Sequence, residues 1–218
     1  MTIVYKLGNN LYINVTNACS CDCIFCLRNK TDGVGNAPSL WLEREPSIAE
    51  IVQAIDKACY ALCANEIEEI VFCGFGEPMM RADVVIHVCE YIKSLPIYKQ
   101  HNNRNHSSLY GKPAPLVRIN TNGLAFLMHP GFDISKLATV DTVSISLNAD
   151  TPEEYLRIAR PKYGIESFAS LLDFARQASV YTSVVFSVVE GSITPQRLAN
   201  CRRIADDMGI PLRVRPAE

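Results

Sequence analysis

Residues 11–26 read Leu-Tyr-Ile-Asn-Val-Thr-Asn-Ala-Cys-Ser-Cys-Asp-Cys-Ile-Phe-Cys, an apolar run followed directly by a cysteine-rich loop. Cys19, Cys23 and Cys26 stand at the spacing CxxxCxxC. A loop this short brings three sulfurs around a common point far more readily than it pairs them as disulfides. The stretch therefore predicts a buried strand that leads into a metal or cluster site.

The number of ligands separates the possible metals. Thiolates select zinc or iron-sulfur centres, and a structural zinc site normally has four protein ligands. No second CxxC follows and the first histidine is His87, so only Cys21, crowded between Cys19 and Cys23, could be the fourth. Three cysteines on a four-iron cube leave one iron open to a small molecule. A zinc-binding loop, or a loop of unliganded cysteines, is the alternative.

The motif CxxxCxxC, with the aromatic Phe25 just before the last cysteine, resembles the signature of the radical S-adenosylmethionine (SAM) enzymes. In that family the amino and carboxylate groups of SAM chelate the open iron. An electron from the cluster then cleaves the sulfonium and releases a 5′-deoxyadenosyl radical, which abstracts hydrogen from the substrate. The resemblance implies a 4Fe-4S cluster on Cys19, Cys23 and Cys26, with SAM as the second cofactor and Phe25 beside them.

Length and composition exclude several other classes of protein. A chain of 218 residues with 48% hydrophobic residues can bury one substantial core, and we expect a single domain over residues 1–218. The formal charge of -2 is spread along the chain, so neither nucleic acid nor an anionic membrane is an expected partner. Nine cysteines in a long, periodic chain indicate reduced thiols, and we expect a cytoplasmic protein without membrane spans.

Six predicted strands alternate with amphipathic helices, a pattern that predicts right-handed βαβ units and a parallel sheet. Helix starts are marked by Ser47, Thr151 and Thr194 as capping residues. Six units are fewer than the eight of a closed barrel, so we expect an open (β/α)6 partial TIM barrel, which the resemblance also implies. A doubly wound sheet is the alternative. The predicted strands are residues 11–16, 67–73, 116–121, 140–147, 181–189 and 212–215, and residues 96–115 are a predicted surface loop.

Function in parallel α/β folds gathers at the carboxyl ends of the strands. The second predicted strand is followed by Gly74-Phe75-Gly76-Glu77-Pro78. Alone, this pentapeptide could be only a strand-to-helix turn. Behind a first strand that leads into CxxxCxxC, it resembles the family's GGEP motif, with Phe75 in place of a glycine. The resemblance implies that Gly74, Gly76 and Glu77 hold the amino group of SAM.

Short polar side chains share one face of the third and fourth predicted strands. A polar row inside an apolar barrel indicates a polar ligand, although the side chains could also satisfy one another or bound water. The resemblance implies that Ser146 and Asn148 contact the ribose or carboxylate of SAM. The cofactor-binding residues predicted on these strands are Asn120, Asn122, Ser144, Ser146 and Asn148.

Four arginines are further candidates. Family members often hold the SAM carboxylate with an arginine near the helix after strand four. Arg160 is the favoured residue here, whereas Arg157 could equally be a solvated side chain on the helix surface. Arg213 and Arg215 share one face of the last strand. If that face points into the barrel, they match an anionic group of the substrate, and if it points outward they are surface charges.

The stretches SLNAD, YxxIxRP and RVRP resemble the small TatD-associated radical SAM proteins more narrowly. We expect a small-molecule or peptide substrate and an electron donor such as flavodoxin or ferredoxin. Three alternatives stay open. They are a small-molecule enzyme like the carboxy-deazaguanine synthases, an activating enzyme of the glycyl-radical type that acts on a partner protein, and a zinc-binding module without SAM.

Overall fold

The computed structural model describes residues 1–35, 37–61, 67–95 and 114–216. In these residues, seven strands form one sheet whose spatial order follows the order of the chain. The first two strands pair antiparallel, and every later pair of neighbours is parallel. The strands are β1 (Val4–Leu7), β2 (Asn10–Ile13), β3 (Glu69–Phe72), β4 (Leu116–Thr121), β5 (Thr142–Ser146), β6 (Ser183–Val189) and β7 (Leu212–Arg215).

Helical segments connect the parallel strands, as the periodicity predicts. The α-helices are α1 (Ile48–Ala61), α2 (Ala82–Ser94), α3 (Ala125–Met128), α4 (Pro152–Ala159), α5 (Glu166–Ala178) and α6 (Pro195–Asp207). Short 3-10 helices are Leu27–Asn29, Pro78–Arg81 and Ile134–Thr139. The predicted caps are confirmed, because the side chains of Ser47, Thr151 and Thr194 each accept a backbone N–H of the first helical turn.

Side chains alternate between the two faces of the sheet. Apolar residues such as Ile13, Phe72 and Ile119 are fully buried in one core with the inner faces of the helices. Polar residues at the intervening positions, such as Asn120 and Ser144, line a cavity on the other face. The predicted open (β/α)6 partial TIM barrel is therefore confirmed, with β2 to β7 as its six parallel strands and β1 and β7 as the edges.

The antiparallel strand β1 is an addition that the sequence analysis missed. It pairs with β2 through a tight turn at Gly8 and Asn9, where Gly8 has a φ of +56°. Such a glycine-asparagine pair between two short apolar runs is a hairpin signal. β1 covers the edge of β2, which would otherwise expose unpaired backbone groups.

Two predicted strands have the observed limits, Leu116–Thr121 and Leu212–Arg215, and the others are shorter than predicted. Within the described residues, no helix is long and apolar enough to cross a membrane. Of the predicted surface loop, residues 96–113 lie outside the described ranges, as does Cys63.

Candidate functional site

A cavity of about 690 Å³ opens at the polar face of the sheet. Apart from Arg160 and the weaker candidate Arg157, every residue predicted from the sequence as a site residue lines it. The lining predicted residues are Cys19, Cys23, Phe25, Cys26, Gly74, Gly76, Glu77, Asn120, Asn122, Ser144, Ser146, Asn148, Arg213 and Arg215. Residues from both ends of the chain thus meet at the strand ends, where parallel α/β folds place their sites.

The cysteine loop is held by backbone hydrogen bonds to the segment after α4. Asp22 N donates to Ala159 O at 3.1 Å, and Lys162 N donates to Ser20 O at 2.8 Å. Arg160 ends α4 with a left-handed φ of 46°, which turns the chain back along the loop. The loop after β2 is thereby fastened to the far side of the barrel.

The thiols of the loop lie in different electrostatic settings. Burial raises the pKa of the Cys19 thiol to about 12, and the Glu77 charge adds to the rise. The Cys21 thiol is buried and hydrogen-bonds to Cys23, which lowers the pKa of Cys23, and the Arg28 and Arg215 charges lower it further. Burial also raises the pKa of Cys26.

In the described part of the chain, no three His, Cys, Asp or Glu side chains come close enough together to hold one metal ion. In an iron-sulfur cluster, each thiolate binds a different iron. Three cysteine thiols around one cavity therefore fit a cluster as a donor set.

Two residues that support the loop were not predicted. The Arg28 guanidinium donates to Cys21 O at 3.2 Å and pairs with Asp22 at 3.3 Å. Tyr155 is fully buried, which raises the pKa of its hydroxyl, and the neighbouring Cys21 and Cys23 add to the rise. Tyr155 opens the YxxIxRP stretch, so that stretch carried a signal for this contact.

The loop after β3 packs directly on the cysteine loop. A Cβ on Gly76 would lie 2.2 Å from Thr16 O and 2.6 Å from Ala18 O, so only glycine fits. Beside it, Glu77 N donates to Ala18 O at 2.9 Å. The two loops are therefore fixed relative to each other.

Phe75, which departs from the glycine of the GGEP motif, has a packing role. It is 5% exposed and joins a small second core with Tyr5, Ala37 and Leu40. Trp41 contacts its ring edge-on, with ring centroids 5.0 Å apart. The substitution therefore anchors residues 37–41 over the cavity wall.

The Glu77 carboxylate joins the loops after β3 and β4. It is buried and accepts hydrogen bonds from Thr121 Oγ1 at 2.7 Å, Asn122 N at 2.7 Å and Met79 N at 2.9 Å. Burial raises the pKa of Glu77. A carboxylate has about four acceptor positions. These bonds use three of them, so one is left for a ligand.

Some polar groups at the ends of β4 and β5 already form hydrogen bonds within the protein. Asn122 Nδ2 donates to Ser20 Oγ at 2.9 Å, which ties the β4 end to the cysteine loop. Asn148 has a φ of +51°, and its Oδ1 accepts a hydrogen bond from Val189 N at 3.1 Å. Its Nδ2 group remains on the cavity wall for a ligand.

The four candidate arginines fall into two groups. Arg213 and Arg215 line the cavity, so the face they share points into the barrel. Arg160 is 58% exposed and lies 3.9 Å from Asp22, outside the cavity wall. Arg157 pairs with Glu154 at 2.7 Å and is also solvent-exposed.

An open barrel of six parallel strands with three thiols at the end of its first parallel strand defines a class of cluster-dependent enzyme. The sequence model of the Radical SAM superfamily matches residues 13–200. The chain belongs to that superfamily and is an enzyme whose cofactors are a 4Fe-4S cluster and SAM.

Solved structures show the same fold at low sequence identity. SuiB of Streptococcus suis bound to the precursor peptide SuiA has a TM-score of 0.63 at 13% identity, covering 99% of this chain and 40% of that one. Native anSMEcpe with bound AdoMet has a TM-score of 0.62 at 15% identity, covering 95% and 50%. The chain thus spans half or less of the length of these neighbours. No curated protein matches the sequence.

Proposed function

We propose that Cys19, Cys23 and Cys26 each bind one iron of the 4Fe-4S cluster and that SAM binds the fourth iron. The single observation that carries the proposal is that these three thiols share one cavity with the polar strand ends. With both cofactors bound, one-electron cleavage of SAM supplies a 5′-deoxyadenosyl radical that abstracts hydrogen from the substrate. No side chain is needed as a general base to generate it.

The chain's own residues position SAM and shield it. Gly74, Gly76 and Glu77 receive the amino group, and the fourth acceptor position of the Glu77 carboxylate supports this role. The ribose and carboxylate contact the polar row of β4 and β5. That row is Asn120, Asn122, Ser144, Ser146 and Asn148, and Phe25 lines the same cavity.

Arg160 reaches the SAM carboxylate in this proposal only by leaving Asp22. Both partners of that ion pair are more than half exposed and 3.9 Å apart, so breaking it costs little. The absence of Arg160 from the cavity wall is therefore compatible with a contact that forms when SAM binds.

Several finer assignments belong to the same proposal. The protein is cytoplasmic, takes its electron from a flavodoxin or ferredoxin and acts on a small molecule or a peptide, as a TatD-associated radical SAM protein. The carboxy-deazaguanine synthases are the corresponding small-molecule alternative. The second candidate is a peptide substrate, or a partner protein as for glycyl-radical activating enzymes, and its one supporting observation is the peptide SuiA bound to the neighbour SuiB.

Anaerobic reconstitution with iron and sulfide tests the proposal. We expect a brown protein that forms 5′-deoxyadenosine when it is reduced in the presence of SAM. Single replacements of Cys19, Cys23 and Cys26 by alanine should abolish both signals. Cys201→Ala, on the buried face of α6, is the matched control and should keep them. A colourless protein with one bound zinc and no cleavage product would replace the proposal by a zinc-binding module.

A further inference from the structure

Four charged side chains of the strands line the cavity, three basic and one acidic, so their charges do not cancel. Glu69 is the only acid among them, and it pairs with Arg118 at 2.7 Å. The side chains of Arg213 and Arg215 form no hydrogen bond or ion pair with any residue in the described ranges. Within the described residues, the two arginines of β7 therefore face the cavity without an ion-pair partner, although the acids Glu77 and Glu190 also line it.

Arg118 adds to this imbalance. It is 5% exposed, and its Nη1 donates to Asn120 Oδ1 while its Nη2 donates to Glu69. Its Nε, also buried, has no partner among the described residues. An unpaired donor of this kind is costly to bury, and it is the group that an acceptor on a ligand would satisfy.

The charges are close enough to repel one another. Arg213 is exposed and Arg215 is half-buried. Partial desolvation lowers the pKa of Arg213, and the neighbouring Arg118 charge lowers it further, while Glu69 acts in the opposite direction. Since Glu69 already pairs with Arg118, it does not neutralise both. A bound anion would interact favourably with both guanidinium groups and relieve the repulsion between these neighbouring charges.

The two arginines lie toward different parts of the cavity. Arg215 is near the Cys23 thiol, whereas Arg213 is close to Glu69, Arg118 and Tyr12 on the opposite strands. An anion held at Arg213 therefore lies on the β7 side of the cavity, apart from the loop after β3 that is expected to hold the SAM amino group. Its other end can extend past Arg215 toward the site of radical formation.

We propose that Arg213 and Arg215 bind an anionic group, a carboxylate or a phosphate, of a small-molecule substrate in the barrel interior. This rests on the proposed function, and it deepens it by naming the chemical class of the substrate. A guanidinium presents a planar fork of donors that matches both anions. The cavity volume of about 690 Å³, shared with the cluster and SAM, fits a small substrate.

The test is anion-dependent thermal stability of the anaerobic holoenzyme with SAM at low ionic strength. Inorganic phosphate and malonate, titrated separately, distinguish a phosphate site from a carboxylate site. At least one should raise the melting temperature saturably, because a ligand that binds only the folded state stabilises it. Arg213→Gln and Arg215→Gln should each require at least tenfold more anion, and Arg213→Lys should fall between.

Arg202→Gln is the matched control, since it removes an exposed arginine of α6 outside the cavity. It should respond to anions like the wild type. Arg213→Gln without anion should melt no lower than the wild type, because it removes an exposed side chain that is repelled by the neighbouring Arg118 and Arg215 charges. This comparison shows that a lost response is not a folding defect.

Equal anion responses in Arg213→Gln and Arg202→Gln would overturn the proposal. So would stabilisation by an acidic peptide with no response to phosphate or malonate, which would make the substrate a peptide. The melting shift needs no turnover, whereas 5′-deoxyadenosine formation by the same wild-type samples reports on the radical SAM reaction. Failure of one proposal is therefore distinguishable from failure of the other.

Discussion

Replacing Gly76 by alanine should force apart the two loops that build the site. The added Cβ would lie 2.2 Å from Thr16 O, and such contacts are essentially never below 3.0 Å, so the backbones must separate by at least about 0.8 Å. A second contact, 2.6 Å from Ala18 O, adds to the strain. A shift of this size also disrupts the neighbouring hydrogen bond from Glu77 N to Ala18 O, now 2.9 Å long.

The expected cost follows from these contacts. Overpacking costs about 1–3 kcal/mol, and the hydrogen bond contributes about 1 kcal/mol. The lower entropy of the unfolded alanine chain returns about 0.4–1 kcal/mol. We expect Gly76→Ala to lose about 2–3 kcal/mol of unfolding free energy. At a slope of about 2 kcal/mol per M, the urea midpoint then falls by about 1 M.

Urea unfolding of the apoprotein and iron content after reconstitution measure the two effects. Because Cys19 follows Ala18 directly, displacing this backbone should also lower the bound iron. Gly131→Ala is the control. Its φ is +86° with no atom near the new Cβ, so it should lose only about 1 kcal/mol and keep its iron. A Gly76→Ala protein with the wild-type midpoint and full iron content would refute the reasoning.

Three further substitutions probe the strand ends by urea unfolding. Thr121→Val removes a hydrogen bond to the buried Glu77 carboxylate and should cost about 1–3 kcal/mol. Burial raises the pKa of Glu77, so the carboxylate becomes protonated as the pH falls through that pKa. The loss should therefore shrink at acid pH, and an unchanged loss would contradict this. Asn148→Ala should lose more unfolding free energy than Asn148→Gly. Both variants lose the hydrogen bond from Val189 N, but glycine adopts the positive φ of this position more readily than alanine. Equal losses would be inconsistent with a left-handed backbone. Thr151→Ala should cost about 1 kcal/mol through its lost helix cap, and no change would show that water replaces the cap.

The sequence predicted which residues lie at the strand ends, because period-two alternation and βα order are local properties. It placed Arg213 and Arg215 on a common face but not on the inner face, since that depends on how β7 pairs with β6. Their place in the cavity became visible only in the assembled sheet. Long-range partners of this kind carry no signal in sequence spacing.

Two other features illustrate the same limit. The bonds of Glu77 to Thr121 and Asn122 cross from one βα unit to the next, so the pentapeptide alone gave no sign of them. Arg160 was chosen by resemblance, yet the turn that ends α4 directs its side chain toward Asp22. β1, in contrast, had a local signal at Gly8 and Asn9 and could have been predicted.

The backbone pairing between the cysteine loop and residues 158–162 has a consequence for the lifetime of the enzyme. Hydrogen bonds such as Ile24 N to Ile158 O, at 2.9 Å, hold the loop without any help from iron. Oxidative loss of the cofactor should therefore leave a folded scaffold with its thiols still gathered. Repair then requires only delivery of fresh iron and sulfide, with no refolding of the polypeptide.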